Sequence, residues 1–390
     1  MNTYEKEQQL FFHTYKRLSL EVDHGEGCYL FTKDGKKYLD MFAGLAVNAL
    51  GYNHPAIIRA IETQIRKYNH LSNYFIQEPQ VLLAEQLLKL SGYEKIFFTN
   101  SGTEAIEGAL KLVRKWGSTK EKSNVFGMTN GFSGRTMGAL SLMDKDKYRA
   151  GYGPFLEHCS HIEFNNVESL QKSVDKKTAA VFLEFVQGEG GIVPVTFEFV
   201  QALQRLREKF DFLIVADEIQ SGILRSGKFF AYQHFTIEPD IVTVAKPIGG
   251  GLPLGAILGS HKVAEVWTYG VHGTTFGGNP VACAAGRAVL NALTTQEMQA
   301  HINAMSEYLF TKLRSLQEKF PVIKEVRGMG LMIGIELKRE SAPVVDAMLA
   351  KGVLANSTAT TVVRILPPLI LSRKEADEFL TIFQEVLNEP

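Results

Sequence analysis

The sequence predicts an α/β fold, with a large domain on a mainly parallel central sheet flanked by helices and a small α+β domain built from the two chain ends. Three observations carry this expectation. At 390 residues the chain exceeds the ~250–300 residues at which a single hydrophobic core stops growing. Through its middle, short apolar runs alternate with longer helical patterns, and several runs are apolar throughout, as strands covered on both faces by helices must be. No internal repeat, low-complexity tract or Pro/Ser-rich linker divides the chain, so the domains must share segments instead of following in series. The expected partition is 1–60 as an N-terminal part of the small domain, 61–285 as the large domain and 286–390 as the C-terminal part of the small one.

Taken in order, residues 25–40 read as a small meander turning at Asp34-Gly35. Strand-like runs follow at 95–99, 124–128, 161–164, 179–184, 212–217 and 241–245, and a helix through Ala109, Leu110, Leu112 and Val113 follows the first of them. Beyond the sheet, 296–320 is helical, and 332–337 and 362–366 read as strands. Ligands of open α/β sheets bind beyond the carboxyl ends of the strands. The polar residues ending these runs are therefore the first candidates: Asn100-Ser101-Gly102-Thr103, Asp217 and Lys246.

Composition narrows the partners. The 42 basic residues balance the 42 acidic ones, so no overall field favours nucleic acid or an anionic membrane, and a small molecule is the expected partner. Cys28, Cys159 and Cys283 are widely separated and form no C-x-x-C pair, which argues against a disulfide framework and a zinc site. Residues 1–15 lack an apolar h-region, and no stretch approaches the ~18–20 apolar residues of a membrane span. The expectation is a cytoplasmic protein.

Lys246 ends the apolar run Ile241-Val-Thr-Val-Ala and precedes Pro247-Ile-Gly-Gly-Gly251. Partial desolvation there lowers an amine's pKa and makes it nucleophilic, although a strand-end lysine taken alone reads more readily as one leaving the core for solvent. Asp217 ends a second buried run, with Gln220 three residues on; it reads either as a cap or as the anion that keeps a pyridine nitrogen protonated and the ring an electron sink. Residues 95–105 form a strand, a glycine turn and a helix start, whose N–H groups with the Ser101 and Thr103 hydroxyls suit a phosphate or serve as plain capping. In Asn130-Gly-Phe132-Ser-Gly134-Arg135-Thr136, Phe132 could stack on a flat ring and Arg135 could fork onto a carboxylate; the alternative is a loop with a surface arginine. Gly222-x-x-x-x-Gly227-Lys228-Phe229 nearly spells a P-loop, but Phe229 lacks the magnesium-ligating hydroxyl. No G-x-G-x-x-G follows a strand, which disfavours a nicotinamide enzyme.

Together these stretches carry a resemblance that covers nearly the whole chain. With Gly44-Leu-Ala-Val-Asn48, Ser72-Asn73, Gln187-Gly-Glu189-Gly-Gly191, His272-Gly-Thr-Thr-Phe-Gly-Gly-Asn-Pro280 and Arg364-Ile-Leu-Pro-Pro368, the sequence resembles class III, fold-type I aminotransferases, most of all those acting on N-acetylornithine and ornithine. The resemblance implies a pyridoxal 5′-phosphate cofactor carried by Lys246, which would also move the substrate proton. It implies Asp217 at the pyridine nitrogen, Gln220 near the phenolic oxygen, Phe132 over the ring, and Ser101, Gly102 and Thr103 at the phosphate. Thr275 would reach the phosphate of a partner subunit, which implies a homodimer.

For substrate, the resemblance implies Arg135 as the carboxylate site and Glu189 paired with Arg364, masking that arginine from ω-amine donors and releasing it for 2-oxoglutarate. Tyr15 stands where ornithine enzymes keep a tyrosine for a free α-amino group; a packing tyrosine is the alternative. Ser133 stands where acetylornithine enzymes usually have His and ornithine enzymes Trp, and Ile106, Phe185, Leu224 and Ser226 also depart from the common pattern. The implied reaction moves the ω-amino group of N-acetylornithine, or a similar acyl ornithine, to 2-oxoglutarate in arginine biosynthesis. Ornithine, N-succinylornithine and succinyl-diaminopimelate are alternative donors; an aminomutase, a decarboxylase and a silent scaffold are alternative roles.

Overall fold

The computed structural model describes residues 3–389. Its central sheet has seven strands in the order Lys95–Thr99, Gly255–Gly259, Ile241–Val244, Leu213–Asp217, Thr178–Leu183, Asn124–Met128, Cys159–Ile162. Six point the same way, and Gly255–Gly259 alone runs antiparallel to its neighbours. The sheet is thus a mixed one dominated by parallel pairing, as expected.

Period-two geometry explains why these runs are apolar throughout. Ala180, Phe182, Leu213 and Val215 belong to one buried cluster, and Val181, Leu183, Ile214 and Ala216 to another, so successive side chains feed cores on opposite faces. On the first face lies the helix Gly102–Ser118, burying Ala105, Ile106, Ala109, Leu112, Val113 and Trp116. Truncating a side chain such as Phe182, only 3 % exposed, would cost about 3–5 kcal/mol.

The two chain ends meet. Val22–Glu26, Tyr29–Thr32 and Lys37–Asp40 form an antiparallel meander, and Val353–Leu354 adds to its edge in parallel with Lys37–Asp40. A second, antiparallel sheet runs Ile323–Met329, Met332–Leu337, Val362–Ile365, Asn356–Thr358. A short hairpin, Val186–Gln187 with Val193–Pro194, holds Glu189 in its loop.

Two sequence expectations need correction. The run expected at 161–164 is the strand Cys159–Ile162, because pairing with Asn124–Met128 fixes its register and hydropathy alone does not. Gly255–Gly259 was not anticipated: glycines bound it on both sides, and it follows a turn that reads as a loop. Among the described residues, no helix is long and apolar enough to cross a membrane.

Candidate active site

The parallel strands deliver their carboxyl ends to one edge of the sheet, and there a cavity of about 410 Å³ opens, lined among others by Gly102, Thr103, Phe132, Arg135, Asp217 and Lys246. Ser101, Glu189 and Gln220 also line it. Lys246 follows Ile241–Val244 and has a backbone φ of +47°. That left-handed conformation is costly for a residue with a Cβ and recurs at functional sites.

Burial lowers the Lys246 amine below the ordinary lysine range, an effect only partly offset by the carboxylates of Asp217 and Glu184. Asp217 is 7 % exposed, and burial raises its carboxyl, although the amide of Ile219, donating at 3.0 Å, and the charge of Lys246 pull the other way. A turn, not a helix, follows Asp217, so the capping alternative does not hold. Gln220 holds a buried side-chain oxygen that has no hydrogen-bond partner among the described residues.

The helix Gly102–Ser118 aims its start into the same space. Ser101 caps it, its hydroxyl accepting from Glu104 N at 3.2 Å, and the Thr103 hydroxyl accepts from Arg135 N at 3.2 Å. Both hydroxyls expected at the phosphate therefore also serve the local backbone. The N–H groups of Gly102 and Thr103 have no acceptor in their own helix, and with the helix dipole they favour an anion.

The Arg135 guanidinium lies 4.0 Å from the Tyr148 ring and 5.4 Å from that of Phe132, a cation–π stack with no ion pair among the described residues. Phe132 in turn meets Tyr148 edge-on at 5.9 Å. Arg364, on Val362–Ile365, is opposed across the ladder by Asn356; Asn356 Oδ1 accepts from its Nε and Nη2 at 3.1 and 2.6 Å. The remaining Nη1 donates to Glu189 Oε1 at 2.7 Å, so Glu189 stands between Arg364 and the cavity it lines.

Two predicted positions lie apart from this cluster. Tyr15 is 72 % exposed and stacks with Arg17. Thr275 is exposed, in a bend just ahead of the turn at 277–278.

Sequence reasoning missed Glu184. It follows Thr178–Leu183, lines the cavity and accepts from Phe132 N and Gly188 N, each at 3.0 Å. Burial, then repulsion from Asp217, raises its carboxyl. The signal was available, since Glu184 ends an apolar run just as Asp217 does. Tyr148 and Asn356 carried no such local mark.

The family model of class-III aminotransferases matches residues 11–387. An acetylornithine aminotransferase of Clostridium acetobutylicum is 43 % identical over 95 % of this chain and 97 % of its own length. One of Caldanaerobacter subterraneus is 43 % identical over 100 % and 99 %. The crystal structure of an ornithine aminotransferase from Toxoplasma gondii, with pyridoxal phosphate at partial occupancy in its active site, superposes with a TM-score of 0.93 at 28 % identity, covering 98 % of this chain and 93 % of that one.

The residues present fit that cofactor. A buried carboxylate such as Asp217 needs a cation, which a protonated pyridine nitrogen supplies; the unpartnered Gln220 oxygen and the helix start at Gly102 accommodate further polar groups. With the match spanning almost the entire chain and these side chains converging at the strand ends, the chain belongs to the class-III aminotransferases.

Proposed function

We propose that this enzyme transfers the ω-amino group of N-acetylornithine, or of a closely similar acyl ornithine, to 2-oxoglutarate, giving the semialdehyde and glutamate. Its cofactor is pyridoxal 5′-phosphate, which supplies an electron sink for the substrate carbon that bears the amine. The observation that carries the substrate reading is the closed Glu189–Arg364 pair beside an Arg135 that keeps its guanidinium unpaired at the cavity. One carboxylate site is open and the other is neutralised, which suits a donor with one carboxylate and a distal amine. The relatives named acetylornithine aminotransferase point the same way.

In this reading each side chain has a physical task. Lys246 holds the cofactor, and its depressed amine takes a proton from the substrate carbon and returns one. Asp217 would keep the pyridine nitrogen protonated, Phe132 would cover the ring, the Gln220 amide would meet the phenolic oxygen, and Gly102 and Thr103 with Ser101 would hold the phosphate. Arg135 binds the donor carboxylate bidentately. For 2-oxoglutarate, which has two carboxylates, Glu189 leaves Arg364 and both arginines are used.

A homodimer completes the site in this account, with Thr275 of one subunit serving the phosphate of the other. Tyr74, Phe75, Ile76 and Phe276 are exposed on two segments held together by Asn73, which donates to Thr274 O and Gly277 O, and exposed apolar side chains of this kind are what subunits bury. The balanced charge and the absence of a long apolar helix among the described residues are compatible with a cytoplasmic place in arginine biosynthesis. Incubation with N-acetylornithine and 2-oxoglutarate should yield glutamate and the semialdehyde in equal amounts. No glutamate from any acylated or free ω-amine donor would sink the proposal.

A further inference from the structure

The two-substrate reading requires Glu189 to leave Arg364, and the fold restricts how it can do so. Gln187 Nε2 donates to Thr129 O at 2.8 Å, Gly188 N donates to Glu184 Oε1 at 3.0 Å, and Lys145 Nζ donates to Glu189 O at 2.8 Å. Arg327 donates to Gly191 O through Nε at 3.1 Å and Nη2 at 2.8 Å, and the Thr358 hydroxyl donates to Glu189 O at 3.4 Å. With its backbone pinned on both sides, the loop has little freedom to move, and release of Arg364 falls to rotation of the Glu189 side chain.

A carboxylate that abandons a charge-assisted hydrogen bond in a desolvated place needs another donor if the open arrangement is to be populated. Lys145 is the group at hand. Its ammonium is bonded to the main-chain oxygen of Glu189 itself, and a glutamate can fold its carboxylate back over its own carbonyl by side-chain rotation alone. Only one acceptor holds its three N–H donors, and it makes no ion pair among the described residues. It also feels the charges of both Glu189 and Arg364.

We propose that Lys145 is the second seat of the Glu189 carboxylate: Glu189 sits on Arg364 when an ω-amine donor is bound and on Lys145 when a dicarboxylate acceptor takes Arg364. Two cations share one glutamate in the first arrangement, an excess of one positive charge, and the second substrate carboxylate supplies the missing anion, so that in the second arrangement each cation holds its own carboxylate. This makes Lys145 a specificity-determining residue for the acceptor half of the reaction, and the inference rests on the Glu189–Arg364 gate of the proposed function.

The test uses holoenzyme and two substitutions, Lys145→Met and Lys145→Arg, with glutarate as an unreactive dicarboxylate probe measured by calorimetry. Lys145→Met should weaken glutarate binding and raise the Michaelis constant for the acceptor 2-oxoglutarate, both roughly tenfold, the worth of one charge-assisted hydrogen bond, while the Michaelis constant for N-acetylornithine changes less than about twofold. Lys145→Arg should restore most of the loss. In a Glu189→Ala background, Lys145→Met should have no further effect, because its target is gone. Equal rises for donor and acceptor, no rise in either, or the same rise in the Glu189→Ala background would each overturn the proposal. If Glu189→Ala by itself leaves substrate preference unchanged, the gate reading falls and takes this inference with it. If Glu189→Ala relaxes preference while Lys145→Met is inert, only the role of Lys145 is wrong.

Discussion

Arg364 Nη1 and Glu189 Oε1 meet at 2.7 Å, and the arginine is only 2 % exposed. Glu189 is held below the usual carboxylate range by that guanidinium, even though burial alone would raise it. The pair therefore persists as an ion pair at any pH near neutrality. Breaking it without supplying another anion would strand a buried cation, which costs about 3–5 kcal/mol. A dicarboxylate substrate can supply that anion, whereas a neutral or cationic donor tail cannot, and this asymmetry is what sorts the two substrates.

Glu189→Ala should therefore leave Arg364 open at all times. The Michaelis constant for the acceptor 2-oxoglutarate is expected to fall, and the preference for ω-amine donors over glutamate as a donor should drop roughly tenfold or more, the weight of a removed charge-pair competition. Steady-state kinetics with both donors reads this directly; an unchanged preference contradicts the gate.

Arg135 serves both substrates in this account, so its loss should not discriminate between them. Arg135→Met is expected to raise the Michaelis constants for donor and acceptor alike, by about 10- to 100-fold for a charged hydrogen-bonded contact worth about 1.5–3 kcal/mol. Arg135→Lys should recover little, because the ammonium lacks the planar fork. Tyr148 holds that guanidinium through its ring at 4.0 Å. Tyr148→Phe should be nearly silent, and Tyr148→Leu should cost about 0.5–1 kcal/mol in binding of both substrates. A rise confined to one substrate would contradict the shared site.

Lys246 gives a pH prediction. Burial disfavours its charged form, so deprotonation sets in below the ordinary lysine value of 10.5. As pH rises, the free amine should become available earlier than in an exposed lysine. The rate at which the apoenzyme takes up pyridoxal phosphate should accordingly climb and level off before pH 10.5. A profile still rising through that value would mean that the carboxylates of Asp217 and Glu184 outweigh burial.

What was legible in the sequence follows from which physical signals are local. Asp217 and Lys246 each end an apolar run, and a strand end is written in the run itself. Glu184 carried the same mark and was passed over, because nothing in its neighbourhood says that Phe132 N and Gly188 N will converge on it. Asn356 and Lys145 are set beside Arg364 and Glu189 by a ladder and by a loop contact, which are tertiary facts with no local signature. Gly255–Gly259 was missed for a related reason. Its strand character comes from pairing with Ile241–Val244 and Lys95–Thr99, not from its own glycine-bounded composition.

The central claim is that an acylated ω-amine donor is the substrate, and the kcat/KM for N-acetylornithine, N-succinylornithine, succinyl-diaminopimelate and ornithine, each with 2-oxoglutarate, tests it most directly. N-acetylornithine or another acyl ornithine should lead, with free ornithine at least about tenfold lower, because the free amino acid must desolvate a second ammonium that the acyl group removes. Free ornithine equalling or exceeding every acylated donor would contradict the claim.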